Sequence, residues 1–185
     1  MSDRLDGGAP TTPGSGSGGD VRGTFWSAGL VILALDLVTK YLAFTRIPEH
    51  SQHPVVGNWV RLTLLLNPGA AFGLHLGPYS RWIFTALTIG ALVVLWRLFR
   101  DTRRGDRARS LALGLVVGGA LGNLVNRLDV ERGVVDWIDM GVGTHRWPSF
   151  NVADIGVSVG AFLLAWVLWD EDEKRDGIEA PRAGR

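Results

Sequence analysis

The chain contains no cysteine. That excludes disulfide bonds, a thiol nucleophile, a thiolate metal site and lipid attachment through a thioether. Charge of either sign is almost balanced: 19 Lys and Arg against 18 Asp and Glu leave +1, a value that says little about partners. A Walker-type phosphate loop, a zinc-protease HExxH and any nucleic-acid-binding motif are all missing, so no nucleic acid partner is expected. No internal repeat is visible.

What the chain has is apolar length. Three stretches approach or reach the roughly 20 apolar residues needed to cross a bilayer core: "FWSAGLVILALDLVTKYLAF" (25–44), "WIFTALTIGALVVLWRLF" (82–99) and "VADIGVSVGAFLLAWVLW" (152–169). A fourth, "SLALGLVVGGALGNLV" (110–125), is shorter and rich in glycine, which membrane helices tolerate and use for close contact. A soluble bundle of buried helices is the competing reading. Eight tryptophans, several near the ends of the stretches, fit an interfacial aromatic belt better. The expected fold is an α-helical integral membrane protein with four transmembrane helices.

Charge placement orients it. "RLFRDTRRGDRAR" joins the second and third spans and is dense in arginine, whereas the loops at 45–81 and 126–151 are poorer in Arg and Lys. The positive-inside rule then places both termini and the 100–109 loop in the cytoplasm. The first span carries Asp36 and Lys40 and lacks a convincing cleavage site, so it reads as a retained span, not as a signal peptide. Residues 1–21, Gly/Ser/Pro-rich, read as a disordered tail, and 170–185 as a cytoplasmic tail of the same kind; 22–169 form the membrane domain. In "NWVRLTLLL", Val60, Leu62 and Leu64 alternate with Arg61 and Thr63, and "GVVDWIDMGV" is also β-prone. A small extracytoplasmic β element on the helices is expected.

Topology converts position into depth. Asp36 and Lys40 fall in the outer half of the first span, one turn apart on one face. Asn123, Asn126 and Arg127 fall at the outer end of the third, Asn151 and Asp154 in the first turns of the fourth, and Asp136 in the loop between them. Asn67 and Gly69, in "NPGAAFG", belong to the first outer loop. Five segments thus bring polar groups to one level. Each has an ordinary explanation: Asp36 with Lys40 as a neutralised pair, Asn123 with Arg127 as a helix cap and an interfacial cation, Asp154 as a helix-dipole acid. Two carboxylates at one depth, Asp136 and Asp154, have a chemical use: sharing one proton, they can activate water and polarise a peptide carbonyl without metal or covalent intermediate.

Competing motifs are weaker. "GVSVG" (156–160) matches the serine-hydrolase pattern at Ser158 but lies inside a span. His50 and His53 lack a third metal ligand. A proton or ion relay through Asp36, Lys40, Asp136 and Asp154 is the main alternative of another class.

The motifs together resemble the lipoprotein signal peptidase (signal peptidase II) family: "DLVTKYLA" (36–43), "NPGAAFGL" (67–74), "GGALGNLVNRL" (118–128), "GVVDWID" (133–139) and "FNVADIG" (150–156). The similarity spans about residues 25 to 169. It implies a membrane aspartic endopeptidase, without cofactor and acting as a monomer in the bacterial cytoplasmic membrane among its lipids. Its substrates would be diacylglyceryl-modified prolipoproteins, whose signal peptide it removes before the lipidated cysteine. The resemblance puts the catalytic pair on Asp136 and Asp154, and substrate contacts on Asn67, Asn123, Arg127 and Asn151. It puts supporting roles on Asp36, Lys40, Gly69 and Asn126. The family's third motif often has Asp where this chain has Asn126. The glycine-rich 67–73 loop is expected to be a mobile cover.

Overall fold

The computed structural model describes residues 20–68, 77–129 and 133–179, with side chains to residue 173. Four helices are long and apolar enough to cross a membrane. Helix α1 (Val21–Arg46) opens where the Asp20 side chain accepts a hydrogen bond from Arg22 N and closes at Ile47, which precedes Pro48 and is steered out of the helical region. A short 3-10 turn leads into α2 (Ser80–Arg100). Helix α3 (Arg107–Leu128) begins at Asp106, whose carboxylate accepts from Arg109 N at 2.9 Å. Helix α4 (Val152–Glu179) completes the set.

The burial pattern is that of a membrane protein. On α1 the buried residues are Phe25, Asp36, Lys40 and Ala43, while Leu30, Val31, Leu35, Val38 and Leu42 are exposed. Apolar groups outside and charged groups inside is the arrangement that lipid, and not water, makes favourable.

Helix α3 is the hub, packed on α1 and α4. Its glycines are faces of contact, as the four-residue spacing in the sequence implies. A side chain at Gly118 would collide with the Gly29 carbonyl of α1, and one at Gly119 with the Ala153 carbonyl of α4. Gly122 faces the Asp36 carboxylate. The small residues therefore set how close Asp36 and the start of α4 come to α3.

A four-stranded antiparallel sheet in the order β1-β2-β3-β4 sits at one end of the bundle. It comprises β1 (Gln52–Val56), β2 (Val60–Asn67), β3 (Val134–Val142) and β4 (His145–Arg146). Strands β2 and β3 are the two expected from the sequence; β1 and β4 are additional. The sheet is held to α1 by Ala43, Leu64 and Val135, with Phe44, Ile47, Leu66 and Trp137 around them. Asp136 accordingly lies on a paired strand, opposite Leu65, within the β-prone run of the second outer loop.

The tails differ from expectation where they can be compared. Helix α1 already starts at Val21, and α4 continues past Trp169 to Glu179, because Asp170 to Arg175 are compatible with helix and include Glu and Lys, good helix formers. Residues 1–19 and 180–185, and Gly69 with the rest of the proposed cover to residue 73, lie outside the described residues.

Gly119→Leu should lower stability by about 3 kcal/mol through forced separation of α3 and α4. Gly90→Ala, with nothing within 4 Å of the new methyl, should leave stability unchanged or raise it by up to about 1 kcal/mol. Thermal unfolding in detergent measures both.

Candidate active site

The polar end of the bundle is built outward from one ion pair. Lys40 and Asp36, one turn apart on α1, are 2.7 Å apart and almost wholly buried. Asp36 Oδ1 also accepts a hydrogen bond from Ala153 N at 2.8 Å, which ties α1 to the first turn of α4. Lys40 Nζ donates to Asn123 Oδ1 on α3 at 2.9 Å. The two charges neutralise each other, and the pair also orients a neighbour: with its oxygen facing the ammonium, Asn123 must present its amide nitrogen elsewhere.

That nitrogen donates to Asp154 Oδ1 at 2.7 Å. Asp154 occupies the first turn of α4, where it and Asn151 cap each other: Asn151 N donates to Asp154 Oδ2 and Asp154 N donates to Asn151 Oδ1, each at 3.1 Å. This reciprocal pairing is a capping box, and the helix N-terminus favours the acid there. Asn151 is fully buried. Its Nδ2 donates to Asp136 Oδ1 at 2.7 Å, with Asn123 Oδ1 at 3.2 Å and Val135 O at 3.3 Å also in reach. Asn67, the last residue of β2, donates to Asp136 Oδ2 at 3.0 Å.

The two aspartates are therefore fixed from three helices and two strands, each carboxylate receiving two donors. Asp154 is partly exposed and Asp136 is buried. Burial pushes the Asp136 carboxyl up to about 6, and the Asp154 charge adds to the rise against the hydrogen bonds from Asn67 and Asn151 and the charge of Lys40. An acid that keeps its proton to near-neutral pH beside a second carboxylate can perform acid–base work on a substrate.

Arg127 ends α3 half-buried, its Nε without a hydrogen-bond partner among the described residues, and the carboxylates whose charge it feels are Asp154 and Asp136. Asn126 Oδ1 is likewise buried and unpartnered. Ser158 lies on the exposed side of α4 in mid-helix, without the strand–turn–helix elbow that its motif needs. His53 lies on β1 beside Ser51, and no group of three or more His, Cys, Asp or Glu side chains among the described residues could hold a metal.

Two features were not anticipated. Arg146 grips Asp139 with Nε at 2.9 Å and NH2 at 2.8 Å, and its NH1 donates to Asn58 O at 2.6 Å, locking the far end of the sheet. The hairpin signal for this was present in the β-prone run followed by Gly143, which turns with φ +58. Arg81 NH1 donates to Asp129 O at 3.1 Å, joining the start of α2 to the end of α3.

Fold and site together define an integral membrane protein with a polar, two-carboxylate centre at one end of a four-helix bundle. The pattern defining the family Signal peptidase (SPase) II matches residues 28–169. A lipoprotein signal peptidase of Burkholderia mallei (strain SAVP1) is 39% identical over 160 residues, covering 85% of this chain and 92% of that protein. One of Ralstonia nicotianae is 36% identical over 167 residues, covering 89% and 94%. A solved bacterial membrane enzyme superposes with TM-score 0.72 at 27% identity over 88% of this chain and 94% of its own. A second gives 0.69 at 30% identity over 79% and 92%. The chain belongs to the signal peptidase II family. It is a bacterial membrane protein and a peptidase.

Removing one partner of the Asp36–Lys40 pair strands a buried charge, so Asp36→Asn and Lys40→Met should each cost about 3–5 kcal/mol. The double variant should lose clearly less than the two single losses added together. Unfolding of the four proteins in a double-mutant cycle gives the coupling.

Proposed function

We propose that the protein removes signal peptides from diacylglyceryl-modified prolipoproteins, cutting the peptide bond before the lipidated cysteine with water activated by Asp136 and Asp154. The observation that carries this reading is the continuous bridge Asp136–Asn151–Asn123–Asp154, with 2.7 Å bonds at both carboxylates. The names of the relatives supply the substrate class; the bridge supplies the chemistry.

In the resting site the shared proton rests on Asp136, the buried acid, and Asp154 serves as the base. Asp154 takes a proton from water as the oxygen bonds to the scissile carbonyl carbon, and the Asp136 proton passes to the carbonyl oxygen. When the tetrahedral diol collapses, the C–N bond breaks, the proton held by Asp154 goes to the departing amine, and one diol proton returns to Asp136. The starting protonation is restored. Arg127 and Asn126, with buried polar atoms unbonded, are the side chains left to engage substrate carbonyls and N–H groups. Asn67, Asn123 and Asn151 hold the carboxylates while lining the site.

A transport relay fits less well. A relay needs ionisable groups across the membrane, yet the buried charged residues among the described ones, Asp36, Lys40, Asp136 and Asp139, all gather at the sheet end. That end faces outward in this proposal, since the arginine-rich α2–α3 connection lies at the opposite end.

Asp136→Asn and Asp154→Asn should each reduce cleavage of a lipidated precursor peptide by at least about 10³-fold while the protein remains folded; substantial turnover by either variant would sink the dyad. For the wild type, kcat/KM should fall as pH rises through about 6, where Asp136 loses its proton. It should fall again at low pH, where the base is protonated. Chelators should not change the rate. For orientation, a cysteine at Thr144 should react with an impermeant reagent applied outside intact cells and one at Arg104 should not. The reverse pattern would overturn the outward-facing site.

A further inference from the structure

At the end of the bundle opposite the active site, the connection between α2 and α3 carries charge that the structure does not use. Arg97, Arg100, Arg103, Arg104 and Arg107 are all exposed, and none forms an ion pair among the described residues. Arg109 is the exception, reaching Glu171 of α4 at 3.5 Å. Of the two aspartates within the segment, Asp106 is occupied in capping α3, leaving Asp101 alone against five free guanidiniums. Of the nearby acids Asp170 to Glu173 on the continuing α4, Glu171 reaches the arginine segment, at Arg109.

Depth identifies what these arginines meet. Trp26 and Trp96 pack with Phe25 and Phe99 into an aromatic cluster at this end, the two phenyl rings stacked at 3.8 Å. Both indoles remain about half exposed, and Trp166 and Trp169 on α4 are exposed at 67% and 71%. Tryptophans facing lipid settle at headgroup level. With a rise of about 1.5 Å per residue, Arg97 and Arg100 lie within roughly 6 Å beyond Trp96, and the six-residue turn to α3 keeps Arg103, Arg104 and Arg107 beside them. Guanidiniums just beyond an indole belt stand in the phosphate plane, where their planar forks match phosphate oxygens.

We propose that the α2–α3 hairpin is a binding face for anionic phospholipid headgroups. It takes phosphate diesters of net negative charge from the leaflet that surrounds it, through the five unpaired arginines. Zwitterionic lipids, whose own ammonium neutralises the phosphate, are held less well. A nucleic acid or acidic protein would require the same arginines to stand clear of the indole belt.

The test uses the full-length protein purified in detergent, titrated with phosphatidylglycerol and with phosphatidylcholine of the same acyl chains, bound lipid being counted by native mass spectrometry. Phosphatidylglycerol should bind in preference, and its affinity should fall with added salt. Arg103→Gln/Arg104→Gln, at exposed positions without a side-chain ion pair among the described residues, should weaken phosphatidylglycerol by about five-fold per arginine, roughly 25-fold in all, and leave phosphatidylcholine unchanged. Should that variant unfold, Arg104→Gln alone should show the single five-fold step. Equal retention of the two lipids by the wild type, or an undiminished preference in the folded variants, would overturn the proposal. So would displacement of phosphatidylglycerol by millimolar inorganic phosphate or by a short RNA.

Discussion

Lys40 is the cation on which the polar end of this protein depends. Its ammonium is held by Asp36 at 2.7 Å and turns Asn123 by donating to the amide oxygen at 2.9 Å. From Asp36 the connection passes to the backbone of α4, and from Asn123 to Asp154 and Asn151, and so to Asp136 on the sheet. Each buried polar group in a lipid environment must find its partner inside the protein, so the chain of bonds follows from the first one. The glycines of α3 make it possible by letting three helices approach closely enough for short side chains to meet.

The same network places two like groups in different surroundings. Asp154 sits in a capping box at a helix start and remains partly exposed, whereas Asp136 is buried on a strand and shifted upward. Such a difference in surroundings is what the proposed division into base and acid requires. The asparagines are suited to this because each offers a donor to a carboxylate and an acceptor to a cation or backbone N–H without adding charge.

Much of this was legible in the sequence because it is local. The four spans follow from apolar length, β2 from the alternation of Val60, Leu62 and Leu64, and the Asp36–Lys40 contact from helical spacing. The common depth of Asn123, Asp136, Asn151 and Asp154 followed from span direction alone. The rest depends on pairings between distant segments. The bond from Asn151 to Asp136 requires the register of β3 against β2. The Asp139–Arg146 clamp requires a tight turn at Gly143, and strand β1 pairs with β2 although its residues are all exposed. The helical course of α4 beyond Trp169 is not legible from a charged segment, because acids followed by bases suit a helix end as well as a solvated tail.

The central claim is that one proton is held by the carboxylate pair, on Asp136, up to a pH of about 6. Difference infrared spectroscopy of the purified protein, titrated between pH 5 and 7, reads protonated carboxyl groups directly. The account predicts one carboxylic-acid band that disappears as pH rises through about 6 and is missing from Asp136→Asn. A wild-type protein with no such band in that range, or a band that persists unchanged in Asp136→Asn, would contradict it.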